Sequence, residues 1–347
     1  MQVTELEVFN FRCHSQLKID FLSNKTLIRG LNGSGKTSLI EAIYLLLRGK
    51  SFRGFDNDMV RNDTSWYKAI LKITDGERIE KREVRFIGEQ NKNRQFQINQ
   101  RKTPRLANNK KIPIVLFQPD DLNLINGSPS RRRQFFDEIV MQIKPEHSTL
   151  LSRYEKILRQ RNNLIKNNPE VEISDLFSWD VMLANYGAKI IKNRLEILRE
   201  INNLISQVYQ EITSVEDKIK INYSEEYNDE SKIEQKIFEK LTKQSNLFLG
   251  TMVGPQRDDF IINFNNTKAS QHTSRGENRS IILSLKIIEA DLIYKNYQQK
   301  PLILLDDVFS ELDENRRKFL MSRASQNQII ITSTESLDLS EVQKIEI

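Results

Sequence analysis

The segment GLNGSGKT, residues 30–37, combines the residue types that bind the phosphates of a nucleotide. Gly30 is followed by four residues and then by Gly35, Lys36 and Thr37, which is the full phosphate-loop spacing. Glycines let backbone N–H groups turn toward the phosphates, and the following helix N-terminus adds partial positive charge. Lys36 is expected to reach the β- and γ-phosphates, and the Thr37 hydroxyl to bind Mg²⁺. The predicted nucleotide-binding residues are Gly30, Leu31, Asn32, Gly33, Ser34, Gly35, Lys36, Thr37 and Ser38.

A second Mg²⁺ ligand is predicted in the segment LILLDD, residues 302–307. Asp306 follows four apolar residues, so we expect it at the carboxyl end of a buried strand, where open α/β sheets bind ligands. Asp307 beside it could orient or deprotonate the attacking water. An acidic pair after a strand can also be a helix cap or a turn, but with a phosphate loop we favour a Walker B element. The two motifs predict a nucleotide hydrolase site with Asp307 as its catalytic residue.

The elements that must position these motifs follow an α/β pattern. Val3–Phe11 and Lys25–Arg29 are predicted strands, and the apolar residues after Lys36 recur at helical spacing. A predicted helix and buried apolar strands near the other end indicate a parallel sheet covered on both faces. These later elements are strands at Asp259–Asn263, Leu302–Leu305 and Gln328–Thr332 and a helix at Arg279–Tyr294. Residues 66–117 are predicted as β-hairpins, with strands at Ala69–Thr74, Glu83–Ile87, Gln95–Asn99 and Pro113–Phe117.

A helical region is predicted between the two parts of this sheet. Two sets of apolar residues stand seven apart: Leu150, Ile157 and Leu164, then, after a break around Pro169, Leu183, Ile190, Ile197 and Leu204. This spacing fits a short antiparallel helical arm, or an ordinary helical subdomain whose apolar stripes are its core. The predicted domains are 1–130 and 250–347 for the two parts of an ATPase head, and 131–249 for the inserted arm.

Composition restricts the class of protein. The chain is 38% hydrophobic and 29% charged, which is typical of globular proteins. No apolar run approaches the roughly 20 residues that a membrane-spanning helix needs. The single cysteine, Cys13, excludes an intrachain disulfide and suits a reducing compartment. A cytoplasmic protein without a membrane partner is therefore expected.

Positive charge is concentrated in residues 78–111. This segment has eleven Lys or Arg and three Glu, a local charge of +8 against +6 for the whole chain. Such a run can be a solvated face or a site for the DNA backbone, because cations near phosphates release condensed counterions. Three further arginines, residues 131–133, must splay around the helix that they begin. The candidate DNA-contact residues are Arg101, Lys102, Arg105, Lys110, Lys111, Arg131 and Arg132.

Two shorter motifs indicate which kind of ATPase this is. SRGEN, residues 274–278, and SELD, residues 310–313, have the order and spacing of the signature motif and D-loop of ABC-type ATPases. With them the chain resembles the RecF family of bacterial recombination-repair proteins, which are SMC-like ABC ATPases. The resemblance covers nearly the full length and rests on NFRCHS, GLNGSGKTSLIEAIYLLLRGKSFR, VLFQPDDLNLINGSPSRRRQFFD, VGPQRDDF, SRGENRSIILSLKIIEADLI and PLILLDDVFSELDENRR.

The resemblance implies a homodimer that forms with ATP and Mg²⁺, binds double-stranded or gapped DNA, and acts with RecO and RecR to load RecA at single-strand gaps. Ser274 and Gly276 would contact the nucleotide of the partner subunit. Gln118 lies about where related ATPases place a glutamine that senses Mg²⁺ and water. Hydrolysis is expected to depend on DNA. It is expected to be slow, because Asp307 is one methylene shorter than the glutamate usual there.

Two other functions stay open at this point. One is a DNA-binding scaffold that the nucleotide locks without significant hydrolysis. The other is the ATPase subunit of a membrane transporter, although that class usually has a switch histidine and lacks a helical insertion of about 120 residues.

The chain departs from the RecF pattern in two places and from the wider pattern of ABC ATPases in one. The signature is Ser-Arg-Gly-Glu where Ser-Gln-Gly-Gln is common, which leaves the fold of the motif intact but affects the control of dimer closure. TSTE, residues 332–335, stands where many ABC ATPases have a switch histidine, which RecF-like chains usually lack. Sensing of the γ-phosphate would then fall to Thr332, Ser333 or Thr334, or be weaker. Gln256 in GPQRDD stands where histidine is frequent, and the sequence gives this stretch no physical role.

Overall fold

The computed structural model describes residues 1–88, 93–168, 171–225, 227, 229–244, 250–335, 337 and 341–347. Pro169 and Leu249, which mark predicted boundaries, lie outside these residues. The chain divides into two units, Met1–Leu122 with Lys286–Ile347, and Asn123–Leu285. The predicted boundaries differ from these units most at residues 250–285, which were assigned to the head and fall in the inserted unit. No helix in the described part of the chain is long and apolar enough to cross a membrane.

The first unit contains two sheets. Their strands are β1 (Gln2–Phe11), β2 (His14–Asp20), β3 (Lys25–Arg29), β4 (Trp66–Thr74), β5 (Ile79–Ile87), β6 (Asn93–Ile98), β7 (Arg101–Thr103), β8 (Ile114–Phe117), β12 (Leu302–Asp306), β13 (Ile329–Ser333) and β14 (Gln343–Glu346). The antiparallel sheet has the strand order β2-β1-β4-β5-β6-β7, and the parallel sheet has the order β14-β3-β13-β12-β8. Helix α1 (Lys36–Arg48) packs against strands of both sheets, which explains why it is buried on nearly every side.

The parallel sheet confirms the fold expected from the sequence and corrects one of its strands. Every residue of β8, β12 and β13 is buried, as expected for strands covered on both faces. The stretch Pro113–Phe117 was predicted among the β-hairpins, but its strand β8 pairs in parallel with β12. Its four consecutive apolar residues, Ile114–Phe117, are the pattern of a strand buried on both sides, whereas a hairpin strand on a surface alternates.

The inserted unit combines helices with a small sheet. Its helices are α2 (Pro129–Ile143), α3 (His147–Asn167), α4 (Phe177–Thr213), α5 (Ile233–Thr242) and α6 (Ala269–His272), and α7 (Arg275–Tyr297) begins in it and ends in the first unit. Its strands β9 (Ile219–Tyr223), β10 (Phe260–Phe264) and β11 (Thr267–Lys268) form an antiparallel sheet in the order β11-β10-β9. The 37-residue helix α4 packs against α3, α5 and β9, so its apolar stripe, including Ile190 and Ile197, forms the core of this unit. Because β10 pairs with β9, residues 260–264 belong here rather than to the head.

Helix α8 (Glu314–Arg323) completes the first unit. It begins after Asp313, whose side chain accepts a hydrogen bond from the backbone N–H of Arg316. The D-loop segment 310–313 therefore ends at the N-cap of α8, a position where aspartate is a preferred residue.

Candidate nucleotide-binding site

The phosphate loop connects β3 to α1. Gly35 precedes the helix with a left-handed backbone, φ 97°. A Cβ at this position would lie 2.3 Å from His14 Nε2 and 2.4 Å from Cys13 Sγ, so a side chain would displace both of these side chains and strain the backbone. The loop therefore keeps its backbone close to the segment 13–14 that follows β1.

Lys36 turns back into its own loop. Its side chain is 4% exposed, and Nζ donates hydrogen bonds to the carbonyl oxygens of Gly30 (2.9 Å) and Leu31 (3.1 Å). Nζ also lies 4.0 Å from Asp307 Oδ2. A phosphate oxygen is a stronger acceptor for an ammonium group than a neutral carbonyl, so this lysine can exchange its loop partners for a polyphosphate.

Asp306 is the centre of the site. Its Oδ1 accepts hydrogen bonds from Thr37 Oγ1 (2.8 Å) and Thr332 Oγ1 (2.9 Å). Burial raises the pKa of Asp306 above its ordinary value, although the hydrogen bonds from Thr37 and Thr332 act in the opposite direction. A nearby cation would therefore stabilise its ionised form.

The oxygen donors at this point suit Mg²⁺. A carboxylate and a hydroxyl, 2.8 Å apart, are the ligand types that Mg²⁺ takes together with substrate phosphates and water. In the described part of the chain no group of three or more His, Cys, Asp or Glu side chains could hold a metal ion by itself. A magnesium ion here would therefore depend on the nucleotide for further ligands.

Asp307 leaves the sheet at the end of β12. Its backbone has φ 51°, an unusual conformation for a residue with a side chain, and such residues often occur at functional sites. Its N–H donates to Thr332 Oγ1 (3.0 Å), and its carbonyl accepts from Ser310 Oγ (3.0 Å). These bonds connect Thr332, one of the three predicted γ-phosphate sensors, to both members of the acidic pair.

Gln118 follows β8, the neighbour of β12. Phe117 pairs with Leu305, so Gln118 and Asp306 both come directly after this last register pair. The backbone N–H of Gln118 donates to Asp121 Oδ2 (2.9 Å), and its carbonyl accepts from the N–H of Asp121 (2.9 Å). A closed turn thus holds Gln118 at the edge of the sheet where Asp306 lies.

The signature motif is described within the inserted unit. The N–H of Ser274 donates to Glu277 Oε2 (2.6 Å), and the N–H of Glu277 donates to Ser274 Oγ (3.2 Å). This reciprocal pair is a capping box at the start of α7. The glutamate that departs from the family pattern is therefore part of the helix cap, and its negative charge suits a helix N-terminus.

The predicted DNA-contact residue Arg132 is paired within its own unit, and its contact with DNA stays a prediction. Its Nε and Nη2 donate to the two carboxylate oxygens of Asp259, both at 2.8 Å, and its Nη1 donates to the carbonyl of Gly127 (2.7 Å). This guanidinium fixes the start of α2 within its unit, and its side chain is only 13% exposed. Arg131 is partly exposed on the same helix.

The basic segment 78–111 divides between two faces of the antiparallel sheet. Arg82 is buried and pairs with Glu80, and Arg94 pairs with Asp56. Residues that pair directly on neighbouring strands point to the same face of a sheet. On this basis the face opposite to Arg82 carries exposed cations from β5 and β7. These are Lys81 and Arg85 of β5 and Lys102 of β7, with Gln95 and Gln97 of β6 between them.

The other predicted cations vary in exposure. Arg101, Arg105 and Lys110 are exposed, and Lys111 is partly exposed. Lys81 and Arg85 are not among the predicted contacts. They lie on the face of β5 opposite to the buried Arg82, and residues can be assigned to the two faces only when the bounds of the strand are known.

Sequence reasoning also missed three contributors to the site. His14 Nε2 lies 3.2 Å from the carbonyl oxygen of Gly35, and Cys13 Sγ lies 3.8 Å from that of Ser34. The positive charge of Arg53 lowers the pKa of Asp306, against the effect of burial. The sequence feature that could have identified these residues is their position in the segments NFRCHS and GKSFR. Their residue types alone do not indicate a site, since scattered histidines and arginines are usually structural.

Comparisons with known proteins identify the family of this chain. A family model described as the RecF/RecN/SMC N-terminal domain matches residues 2–346. The DNA replication and repair protein RecF of Natranaerobius thermophilus is 36% identical over 367 residues, covering 98% of this chain and 93% of that protein. The protein of the same name from Caldanaerobacter subterraneus subsp. tengcongensis is 34% identical over 353 residues, covering 98% and 96%.

Solved structures give the same result for the fold. The recombination mediator protein RecF with ATPrS, in the RecFOR pathway, superposes with a TM-score of 0.90 at 33% identity, covering all of this chain and 96% of that one. The structure described as RecF-ATP gives a TM-score of 0.87 at 33% identity, covering 97% and 93%.

Proposed function

The chain belongs to the RecF family of SMC-like ATPases, and we propose that it is an ATP-dependent DNA-binding protein of recombinational repair. The observation that carries this proposal is the hydrogen bond that joins Thr37 of the phosphate loop to Asp306 at the end of β12. It brings together two motifs that lie 269 residues apart in the sequence, as a nucleotide site requires.

ATP and Mg²⁺ are the groups that this site would hold. Lys36 would bind the β- and γ-phosphates in place of the loop carbonyls. Thr37 and Asp306 would bind Mg²⁺, which neutralises phosphate charge when it is present, and Gln118 would complete the site from the end of β8. The similarity to a RecF structure described with ATP supports the choice of nucleotide.

The ATP-bound form is proposed to be a homodimer. Ser274 and Gly276 would act on the nucleotide of a second copy, as the signature motif does in ABC-type ATPases. The capped start of α7 supports this role, because a helix N-terminus favours an anion such as the γ-phosphate.

The DNA-binding surface is proposed to be the exposed face of β5, β6 and β7. Lys81, Arg85 and Lys102 lie there, whereas the exposed Arg101 pairs with Ile98 and so belongs to the face of Arg82. Cations on a flat sheet can neutralise backbone phosphates without reading bases, so double-stranded and gapped DNA are the expected partners. The other predicted contacts stay proposals: Arg101, Arg105, Lys110, Lys111, Arg131 and Arg132.

The biological partners are proposed from the relatives. The similar structures are of a recombination mediator in the RecFOR pathway, so RecO- and RecR-type proteins, and a RecA-type recombinase loaded at gaps, are the expected partners. Membership of the RecF family and the inserted unit disfavour a transporter subunit. The cytoplasmic location stays a prediction.

Hydrolysis is proposed to be slow and to act as the release switch, with Asp307 as the catalytic carboxylate. A Lys36→Arg variant that binds ATP but does not hydrolyse it would support a hydrolytic cycle. Absence of DNA-stimulated phosphate release from the unmodified protein would instead favour the nucleotide-locked scaffold.

DNA affinity as a function of salt tests the proposed surface. With ATP and Mg²⁺, the unmodified protein should bind a fluorescent gapped duplex at low salt. The double variant Arg85→Gln, Lys102→Gln should bind more weakly, with a salt slope smaller by about 2, because each phosphate contact contributes about 0.9. Lys318→Gln on α8, an exposed lysine paired with Glu314, is the matched control. Absence of DNA binding, or equal losses in the control, would contradict the proposal.

A further inference from the structure

A cavity of about 80 Å³ lies in the first unit, open to solvent between α7 and α8. Its floor is formed by Val115 and Phe117 of β8 and by Ile303 and Leu305 of β12. The two residues of β8 pair directly with the two of β12, so all four side chains point to the same face of the sheet. None of the residues proposed to hold the nucleotide or Mg²⁺ lines the cavity, so it is a separate site.

Small residues on both helices leave the cavity open. Ala290 lines it from α7, between Ile287 and Tyr294 on one face of that helix. Ala324, immediately after α8, lines it from the other side chain layer. A leucine in place of Ala290 would occupy this space, and filling a cavity commonly stabilises a protein. Stability of the fold alone therefore does not explain why the cavity is present.

The volume of the cavity indicates what it can bind. Sites for small molecules usually enclose about 300–1,000 Å³, and an apolar cavity of about 150 Å³ holds one benzene. A cavity of about 80 Å³ therefore fits one branched aliphatic side chain rather than a whole ligand. A buried apolar anchor in a pocket of this kind is how one protein commonly holds a segment of another.

The rim of the cavity carries one cation without a counter-charge. Lys300 Nζ donates a hydrogen bond to the neutral side chain of Gln326 and lies 5.4 Å from the centroid of the Tyr294 ring. Among the residues that the structure describes, Lys300 has no ion-pair partner. The other charged residues of the lining have ion-pair partners within the unit: Lys286, Asp291 and Arg323. A carboxylate on a bound segment would supply the charge that Lys300 lacks.

Exposed aromatic surface lies beside the cavity. Tyr294 is 45% exposed, and Tyr297, three residues further along α7, is 38% exposed. Tyrosine is enriched at protein interfaces, because its ring gives a large apolar contact while its hydroxyl stays hydrated. These two rings can cover the part of a segment that lies outside the cavity.

We propose that this groove between α7 and α8 is a docking site for an acidic segment of a partner protein. The segment inserts one leucine-sized side chain between Ala290 and Ala324 and places a neighbouring carboxylate on Lys300. The proposal does not rest on the proposed nucleotide chemistry, so the two can fail separately.

Methyl NMR of the full chain tests the site, because Ala290 and Ala324 provide signals from its walls. The probe is the peptide acetyl-Asp-Asp-Leu-Asp-Asp-amide, titrated to millimolar concentration. Both alanine signals should shift as peptide is added. Replacement of the leucine in the peptide by alanine should weaken binding about tenfold, because most of the buried apolar area is lost. Replacement of its aspartates by asparagine should weaken binding about fivefold.

Variants of the protein test the anchor and the charge separately. Ala290→Leu should abolish peptide binding by filling the cavity, while stabilisation by ATP–Mg²⁺ is unchanged. If Ala290→Leu does not fold, Ala324→Met fills the cavity from the other helix, since methionine adapts to irregular space. Lys300→Glu should weaken binding about fivefold. Lys295→Glu, a change of the same charge at an exposed position of α7 outside the lining, is the matched control.

Four results would overturn the inference. One is no shift of the two alanine signals at millimolar peptide, and another is equal binding of the leucine and alanine peptides. The third is unchanged binding in a folded cavity-filling variant, or equal binding in Lys300→Glu and Lys295→Glu. The fourth is a shift that follows protein concentration without peptide and is lost in Ala290→Leu, which would make a second copy of this chain the occupant.

Discussion

Two buried charge clusters, one in each unit, use similar residues in opposite ways. In the inserted unit, Arg194 donates from Nε and Nη2 to the two oxygens of Asp137, both at 2.8 Å. Its Nη1 donates to Tyr223 Oη (3.0 Å) and to the carbonyl of Pro255 (2.8 Å). The cation is matched by an anion in bidentate geometry, and its three nitrogens all have partners.

The nucleotide site in the first unit is arranged differently. Lys36 is solvated by two neutral carbonyls, and Asp306 by two neutral hydroxyls. Among the described residues Asp306 has no salt-bridge partner, and Lys36 approaches Asp307 only to 4.0 Å. A buried charge without a close counter-charge is unfavourable, so this cluster is suited to accept phosphate and metal charges from outside. The Arg194–Asp137 cluster therefore stabilises the fold, whereas the Lys36–Asp306 cluster is suited to bind a ligand.

The first cluster also explains the segment GPQRDD, residues 254–259. Asp258 Oδ2 accepts from Tyr223 Oη (2.7 Å), and Gln256 Oε1 accepts from Tyr154 Oη (2.5 Å). With the Pro255 carbonyl on Arg194, the segment is bound to helices α3 and α4 and to β9. Its role in this structure is to join the helices of the inserted unit to its sheet.

Removal of Arg194 should have the largest effect. Arg194→Ala removes the bidentate partner of the buried Asp137 and leaves it the contact with His147 (3.2 Å), so the free energy of unfolding of the inserted unit should fall by about 3–5 kcal/mol. Arg199→Ala is the control on the same helix, because its pair with Glu230 is exposed and is expected to contribute at most about 1 kcal/mol. Chemical denaturation followed by circular dichroism measures both, and equal losses would contradict the closed-network account.

Removal of the Lys36 side chain should leave the fold intact and abolish the stabilisation of the protein by ATP–Mg²⁺. At an ATP–Mg²⁺ concentration 100 times its dissociation constant, the unmodified protein should gain about 2.7 kcal/mol of stability. Lys36→Ala should lose this gain, since the polyphosphate loses its cation. Unfolding with and without ATP–Mg²⁺ measures the difference, and a ligand-induced gain of normal size in the variant would show that the nucleotide binds elsewhere.

Asp306→Asn should have the smallest effect and the opposite sign. Because burial raises the pKa of Asp306 in the folded state, its contribution to stability falls as pH rises from the ordinary aspartate value through the raised one. The nucleotide-free variant should therefore be slightly more stable than the unmodified protein at neutral pH, with a flatter pH dependence, while its stabilisation by ATP–Mg²⁺ is lost.

Unfolding of both proteins from about pH 4 to pH 8 checks this prediction. A less stable Asp306→Asn variant would mean that the ionised carboxylate stabilises the nucleotide-free fold. In that case the nucleotide site would stabilise the fold without a ligand, as the Arg194–Asp137 cluster does.

Much of the nucleotide site was predictable because its signals are local. β3 and α1 begin where predicted, at Lys25 and Lys36, since an apolar run, a glycine turn and helical periodicity follow one another there. Asp306 ends β12 as expected, because four apolar residues precede it.

The rest of the fold and of the site depends on pairing partners that the sequence alone does not identify. The parallel pairing of β8 and the place of β10 beside β9 are set by strands far along the chain. Arg132 illustrates the same limit for side chains, because its partner Asp259 is 127 residues away. A short apolar run or a basic residue fits several contexts, and tertiary contacts choose among them.

The most direct test of the central claim is sedimentation velocity of the purified protein with and without ATP–Mg²⁺, in the presence and absence of a gapped duplex. The account predicts a shift from monomer to dimer that requires ATP, is strengthened by the DNA, and is lost in Ser274→Arg, which blocks the signature motif. A monomer that is indifferent to ATP and DNA would contradict the proposed ATP-controlled dimer.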